Sequence, residues 1–454
     1  MNIKRAIAAA RIATLVGGLA AIHGMAGAAA SADDAAKLGK TLTPLGAEKA
    51  GNKDGSIPAW DGGLTKAPAG FKAGGRRDQD PYTGEKPLYS ITAKNIDQYA
   101  DKLSDGTKAM LKKHAGYRID VYPTHRSAAA PQWVYENTRK NATAARLNER
   151  QIPVGAYGGI PFPIPKDGAE AMWNHLLSWR GETWQFDNRA YLVTAAGKPV
   201  MTVDGIADQS MPYYFKDGTP ESANGNYWNL RLVNAGPPIR AGEAVLGRLN
   251  LDSERDQSYA YLAGQRRTRK LPNACCDTPT PATAGVMSFD EVSVFAGRLD
   301  RFDWKLVGKK EMFIPYNANR ALGGKDTDLI DAKYLNPDMV RWELHRVWVV
   351  EANVKPGVRH VAPKGRYYLD EDTWMAVLGD RWDAKGQLWK TMWQLPVTMP
   401  DLPATTGVTF GFYDLLSDTW FANQVLNEKA SQYKLMPRYP DATFSPDSLG
   451  SGAR

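Results

Sequence analysis

Trp342-Glu-Leu-His-Arg-Val-Trp-Val-Val-Glu-Ala-Asn-Val354 alternates with a period of two. Trp342, Leu344, Trp348, Val350, Ala352 and Val354 fall on one face, and Glu343, His345, Glu351 and Asn353 on the other. Arg346 alone interrupts the apolar face. Successive side chains of an extended chain point to opposite sides, so this stretch reads as a half-buried strand. The pattern continues downstream. Residues 366–370 lead through a turn at Glu371-Asp372 into 374–382, and Asp383-Ala-Lys-Gly386 turns into 387–397. That last run carries Trp389, Thr391, Trp393 and Leu395 on one face. Strands joined by turns this short are antiparallel neighbours.

Working back from Trp342, residues 302–307 and 310–313 flank Gly308 as a hairpin would, and 227–233, 243–251 and 257–264 are further strand candidates. Residues 189–194 and 199–203 flank Ala-Ala-Gly-Lys, a hairpin signal. Residues from about 189 to 397 are therefore expected to form one continuous, mostly antiparallel meander: a large curved sheet, open or nearly closed. No fixed repeat period is present, which disfavours propellers and solenoids. After Phe421 a short helix is expected over 422–433, then a Pro-rich tail.

Before residue 180 the period is helical. Residues 92–100 and 104–114 follow Thr or Ser caps, and 131–147 starts on Pro131. Gly159-Ile-Pro-Phe-Pro-Ile-Pro165 is extended, because its prolines fix φ and remove backbone donors. Asp167 followed by Glu170 is a capping-box-like start for a helix bearing Met172, Trp173, Leu176 and Leu177. Residues 33–90 are rich in Gly and Pro, yet carry Ile57, Trp60, Leu64 and Phe71, so they are expected to wrap onto the main body. The layout is then an irregular segment over 33–90, one α+β domain over 91–421, with helices at 92–179 and the meander at 189–397, and a tail over 422–454.

Residues 1–32 read as a secretory signal peptide: Lys4, Arg5 and Arg11, a short apolar core, then Ala, Gly and Ser. The apolar run is shorter than the ~20 residues a membrane span needs. No Cys lies near the expected cleavage after Ala32, so a lipid anchor is not implied. The expected location is the periplasm. The formal charge of +8 includes the three basic residues of this leader and forms no Lys/Arg block, so nucleic acid is not indicated.

Nucleotide-binding glycine loops, serine-hydrolase elbows and zinc-binding His or Cys motifs are absent. No cofactor or metal is called for. The five histidines beyond the leader have no ligand spacing, although His345 and His360 could meet across a hairpin. Asp370-Glu371-Asp372 is either a tight turn or an acid pair for glycan chemistry. Cys275-Cys276, the two cysteines of the chain, are either incidental or a reactive pair. The basic run 265–270 is either an anion-attracting rim or a charged strand edge.

The aromatic load points further. Trp342, Trp348, Trp389 and Trp393 lie on apolar strand faces, and Trp173 on the capped helix. They are the expected lining of an apolar cavity under a helical lid, with Arg346 and Arg266 at its mouth.

Four separated segments resemble one family in order: Thr41-Leu-Thr-Pro-Leu-Gly through Ser-Ile-Pro-Ala-Trp60; Gly159–Pro165 with Trp173-Asn-His175; Tyr261-Leu-Ala-Gly-Gln-Arg-Arg267; and His345–Glu351 with Tyr368-Leu-Asp-Glu-Asp-Thr-Trp374. It is an exported Gram-negative family labelled outer-membrane lipoprotein-sorting protein. The resemblance implies a fold like the lipoprotein carriers LolA and LolB, an unclosed barrel with helices as a lid over an apolar cavity. It also implies hydrophobic cargo such as lipid, alkane or sterol-like compounds, with an RND-type inner-membrane exporter and an outer-membrane protein as partners. It carries over no catalytic residues. The implied function is a periplasmic carrier or chaperone that does no chemistry. The alternatives are a secreted enzyme acting on lipid or glycan, and an envelope scaffold without ligand.

Overall fold

The computed structural model describes residues 29–272 and 274–451, so most of the expected leader lies outside the described residues. Thirteen strands form the body of a 16-stranded sheet. In chain order they are β1 (Thr183–Val193), β2 (Pro199–Ser210), β3 (Asn226–Gly236), β4 (Ala244–Asn250), β5 (Gln257–Leu262) and β6 (Arg267–Lys270). Then come β7 (Phe302–Pro315), β8 (Trp342–Val354), β9 (Lys364–Asp370), β10 (Ala376–Trp382), β11 (Leu388–Met399), β12 (Ala404–Asp414) and β13 (Thr419–Asn423).

Each half is a plain antiparallel meander, and the halves are joined out of sequence order. The last strand, β13, pairs with the first, β1, placing Trp420 opposite Val193 and Asn423 opposite Ala190. The spatial order is therefore β7 through β13, then β1 through β6. The sheet is not closed: β6 and β7 end it, and residues 271–301 connect them. A hairpin of Tyr89–Ile91 with Ile119–Val121 hangs on the start of β8, and Lys434–Leu435 adds to β1.

Three helices matter for the site: α1 (Asp105–Lys113), α2 (Gln132–Ala144) and α3 (Gly168–Leu176). Ser104 caps α1 by accepting from the Thr107 N–H at 3.0 Å. Asp167 caps α3 by accepting from the Glu170 N–H at 2.9 Å. The Glu170 carboxylate reaches past the cap to the Lys166 N–H, 2.7 Å away, which holds the Pro-rich entry in place.

Two large apolar cores flank this sheet, with a smaller cluster of Ala244, Leu246, Phe444 and Leu449 outside β4. In the first, Met172, Trp173 and Leu176 of α3 pack with Trp184, Phe186, Tyr227 and Leu232 of the first meander and with Phe295 and Leu299 of the connector. In the second, Ile57, Ile91, Met110 and Leu111 pack against Ile314, Val347, Val377 and Trp393. β8 serves both: Val350 and Ala352 belong to the first core, Trp342 and Leu344 to the second.

Several local expectations are corrected. The stretch around Gly308 is no hairpin but one strand, β7, paired with β8 along its length, with a register shift between Leu306 and Gly308. The glycine takes φ 137° there, a conformation costly for other residues. Residues 422–433 are not helical: Ala422 and Asn423 complete β13, and the chain then runs irregularly to Lys434. The helix expected over 92–100 is reduced to 3-10 turns at Ile96–Gln98 and Ala100–Lys102. No helix among the described residues is long and apolar enough to cross a membrane.

Candidate functional site

A cavity of about 320 Å³ lies between the first meander, α3 and the connector. Strand alternation builds its floor. On β4, Ala244 and Leu246 pack outward against Phe444 and Leu449, so Gly247 and Leu249 face the cavity. Trp184 and Phe186 of β1 and Leu230 and Leu232 of β3 extend the apolar wall. A register shift between Asn226 and Trp228 lets the consecutive side chains of Tyr227 and Trp228 both line it. Trp173 and Leu176 of α3 cover the top, and Val292 and Leu299 of the connector close the side. Trp173 is held by its indole N–H, which donates to the Gln151 carbonyl at 2.7 Å, and by edge-on packing against Tyr227.

His175 locks this arrangement. Its Nδ1 accepts from the Ala376 N–H at 3.0 Å, so the proton sits on Nε2, which donates to the Phe295 carbonyl at 2.8 Å. One neutral ring thus joins α3, β10 and the connector. Burial holds its pKa down at about 3, so it stays neutral at all ordinary pH.

The charged groups of the cavity differ in kind. Arg150 is paired with Asp252 and Glu254, and Arg298 with Asp300. Asp256 accepts from the Asn250 N–H at 2.7 Å, and burial pushes its pKa up to about 7. Arg180 has no carboxylate partner among the described residues; its Nη2 donates to Ser178 Oγ at 2.9 Å and the His175 carbonyl at 3.3 Å. Cys275 and Cys276 are free thiols on the cavity wall, Cys276 buried and Cys275 half-buried.

Of the residues expected to line the cavity, Trp173 does so. Trp342 and Trp393 lie instead at a separate pocket of about 20 Å³ within the second core. Trp348 stacks on Trp374 at 6.0 Å between centroids, with Lys309 Nζ over its ring. Trp389 donates its indole N–H to Asp414 Oδ2 at 2.9 Å. Arg346 is buried against Glu371 at 2.9 Å rather than standing at a mouth. Arg266 is the exposed, left-handed residue of the turn between β5 and β6. For Trp342 and Trp393 the reason is that an apolar strand face identifies burial, but this sheet buries side chains in more than one core, and these two belong to the core away from the cavity.

Asp370 ends β9, Glu371 and Asp372 form the turn after it, and all three are buried. Arg126 grips Asp372 with Nε and Nη2 at 2.9 and 2.7 Å, and Lys309 joins Arg346 on Glu371 at 2.8 Å. Asp370 accepts from Thr373 Oγ1 at 2.6 Å, and burial, then the neighbouring Asp372 charge, raise its pKa to about 6. His345, Asp370 and Asp372 bring ligand atoms within 4.8 Å of one another, as a metal site would. Arg126 already takes both Asp372 oxygens, so the donor set fits an ion-pair network better than a cation. His345 bonds Glu343 and His360 bonds Asp290, so the two histidines do not meet.

The class defined by this geometry is an unclosed antiparallel sheet curled about an apolar cavity, with a helix laid across it. The chain belongs to the family described as "Protein of unknown function (DUF1329)", whose model matches residues 90–450. It is 39% identical over 432 residues to the uncharacterized protein PA3922 of Pseudomonas aeruginosa, a match covering 93% of this chain and 94% of that one. Among solved structures it is similar to a DUF1329 family protein from Desulfovibrio piger, with a TM-score of 0.41 and 13% identity over 59% of this chain and 92% of that one. It is also similar to a LolA superfamily protein from Nitrosomonas europaea, with a TM-score of 0.38 and 10% identity over 63% of this chain and 100% of that one.

Proposed function

We propose that the protein is a periplasmic carrier or chaperone that holds a hydrophobic molecule, such as a lipid, an acyl chain, an alkane or a sterol-like compound, and does no chemistry on it. The cavity under α3 supports this reading: about 320 Å³ is within the range of small-molecule sites, and the larger part of its wall is aromatic and aliphatic, with charged groups beside it. Burial contributes ~0.8 kcal/mol per methylene, so a chain of about ten carbons is held without any hydrogen bond. Trp173 is the lid residue against which the chain packs. Delivery requires docking partners, for which an RND-type inner-membrane exporter and an outer-membrane protein are the candidates.

The test is binding of an environment-sensitive, uncharged apolar probe. A Cβ on Gly247 would meet no heavy atom within 4 Å, so Gly247→Trp is chosen to project a large ring into the cavity without a clash at its Cβ. Wild type is expected to bind the probe, and the folded variant at least tenfold more weakly. Equal binding by both, or none by wild type, overturns the reading.

A further inference from the structure

Arg180 is a cation in the cavity wall with no acid partner among the described residues. It follows α3 and the buried Trp179, and its Nε is buried with no hydrogen-bond partner. The groups facing it are tyrosines 214, 227 and 433 rather than acids. Two of their hydroxyls are spent on backbone: Tyr214 donates to the Leu177 carbonyl and Tyr433 to the Arg180 carbonyl, each at 2.5 Å. The Tyr227 hydroxyl makes no hydrogen bond among the described residues, and its ring lines the same cavity. The other arginines of the cavity, Arg150 and Arg298, are each paired with acids. Asp256, a carboxyl of the wall that acts on Tyr227 and has no ion-pair partner among the described residues, is itself half way to neutral at pH 7.

A guanidinium partly withdrawn from water, its Nε buried and with no acid partner among the described residues, is costly, and burial accordingly disfavours its charge. An incoming anion cancels that cost, and a guanidinium offers planar, paired donors suited to carboxylate or phosphate oxygens. We propose, resting on the carrier reading, that the ligand is an anionic amphiphile: its chain lies along Trp184, Phe186, Leu230 and Leu232, and its carboxylate or phosphate-monoester oxygens meet the Arg180 guanidinium and the Tyr227 hydroxyl. The cavity then discriminates by headgroup charge while remaining tolerant along the chain.

The experiment titrates the full chain with three ligands of one chain length: dodecanoic acid, dodecyl phosphate and dodecanol. Wild type is expected to bind at least one of the two anions tenfold or more tightly than the alcohol, and the tighter anion identifies the headgroup. Arg180→Gln should bring that anion to the alcohol's affinity, leave the alcohol within twofold, and raise the melting temperature of the ligand-free protein. Arg180→Lys should recover part of the preference. Tyr227→Phe, which keeps the ring, should weaken the anion several-fold and leave the alcohol unchanged. The inference is overturned if the alcohol binds wild type as tightly as both anions, or if Arg180→Gln weakens all three alike; the carrier reading survives either result. Binding of none of the three to wild type sinks both.

Discussion

Arg381 of β10 grips Asp290 of the connector: Nη1 lies 3.1 Å from Oδ1, and Nη2 donates to the Asp290 carbonyl at 2.8 Å. Both side chains are buried, and His360 Nε2 adds a contact to Oδ2 at 2.8 Å. This clamp ties the chain that forms the side of the cavity to the second meander. Asp290→Ala would leave a buried guanidinium without its anion, at a cost of about 3–5 kcal/mol. Chemical denaturation should show that loss, and the connector should gain amide hydrogen exchange before the sheet does.

The same pair fixes an acid limb. Burial opposes ionisation of Asp290, but the Arg381 charge and the His360 hydrogen bond hold its pKa down at about 2. A carboxyl depressed below its ordinary range contributes stability that is complete above that range and lost as pH falls through the folded value. Wild type should therefore lose stability between about pH 4 and pH 2 more steeply than Asp290→Asn. Parallel slopes would show that the clamp is not the titrating group.

Asp256 shifts oppositely. Burial raises its pKa to about 7, so it favours folding while protonated, and that contribution is lost as pH rises from the ordinary aspartate range through about 7. Asp256→Asn keeps the polar oxygen that accepts from the Asn250 N–H. Its stability relative to wild type should improve steadily from pH 5 to pH 8 in urea titrations, and a constant difference would refute the assignment.

The two thiols should react unequally. A hydrogen bond from Cys276 lowers the pKa of Cys275 against the effect of burial, with Arg298 and Arg301 assisting, while the same hydrogen bond and burial raise that of Cys276. Iodoacetamide on the native protein should label Cys275 at least tenfold faster than Cys276, as read by peptide mass spectrometry. Because both line the cavity, a bound apolar ligand should slow the labelling.

What the sequence made legible follows from local physics. The alternation from Trp342 onward specified strands, and short turns specified antiparallel neighbours, so one antiparallel meander was readable up to residue 397; its division in two by residues 271–301 and the strands at Ala404–Asp414 and Thr419–Asn423 were not. The pairing of β13 with β1 was not, because Trp420 and Val193 are far apart in the chain and nothing local couples them. The turn expected at Glu371-Asp372 is present, but the burial of these acids depends on Arg126 and Arg346 arriving from other elements. Arg180 carried no motif: it is a single arginine after Trp179, and only the assembled cavity shows that no acid meets it. A capped helix bearing Trp173 was the one local signal that led to the cavity.

The separation of the two cores yields the last prediction. Trp393 is buried in the second core, packed on Tyr413 at 5.9 Å between centroids, and it lines the small pocket there with Trp342. Neither ring belongs to the wall of the large cavity. Trp393→Ala should cost about 3–5 kcal/mol, as a large aromatic deletion in a core does. Trp393→Phe should cost less and stay folded. The phenylalanine variant should bind the apolar probe within twofold of wild type, whereas Gly247→Trp, with a melting temperature near that of wild type, should bind at least tenfold more weakly. If Trp393→Phe abolishes probe binding while folded and Gly247→Trp leaves it intact, the ligand sits in the second core, and the cavity under α3 is not the binding site.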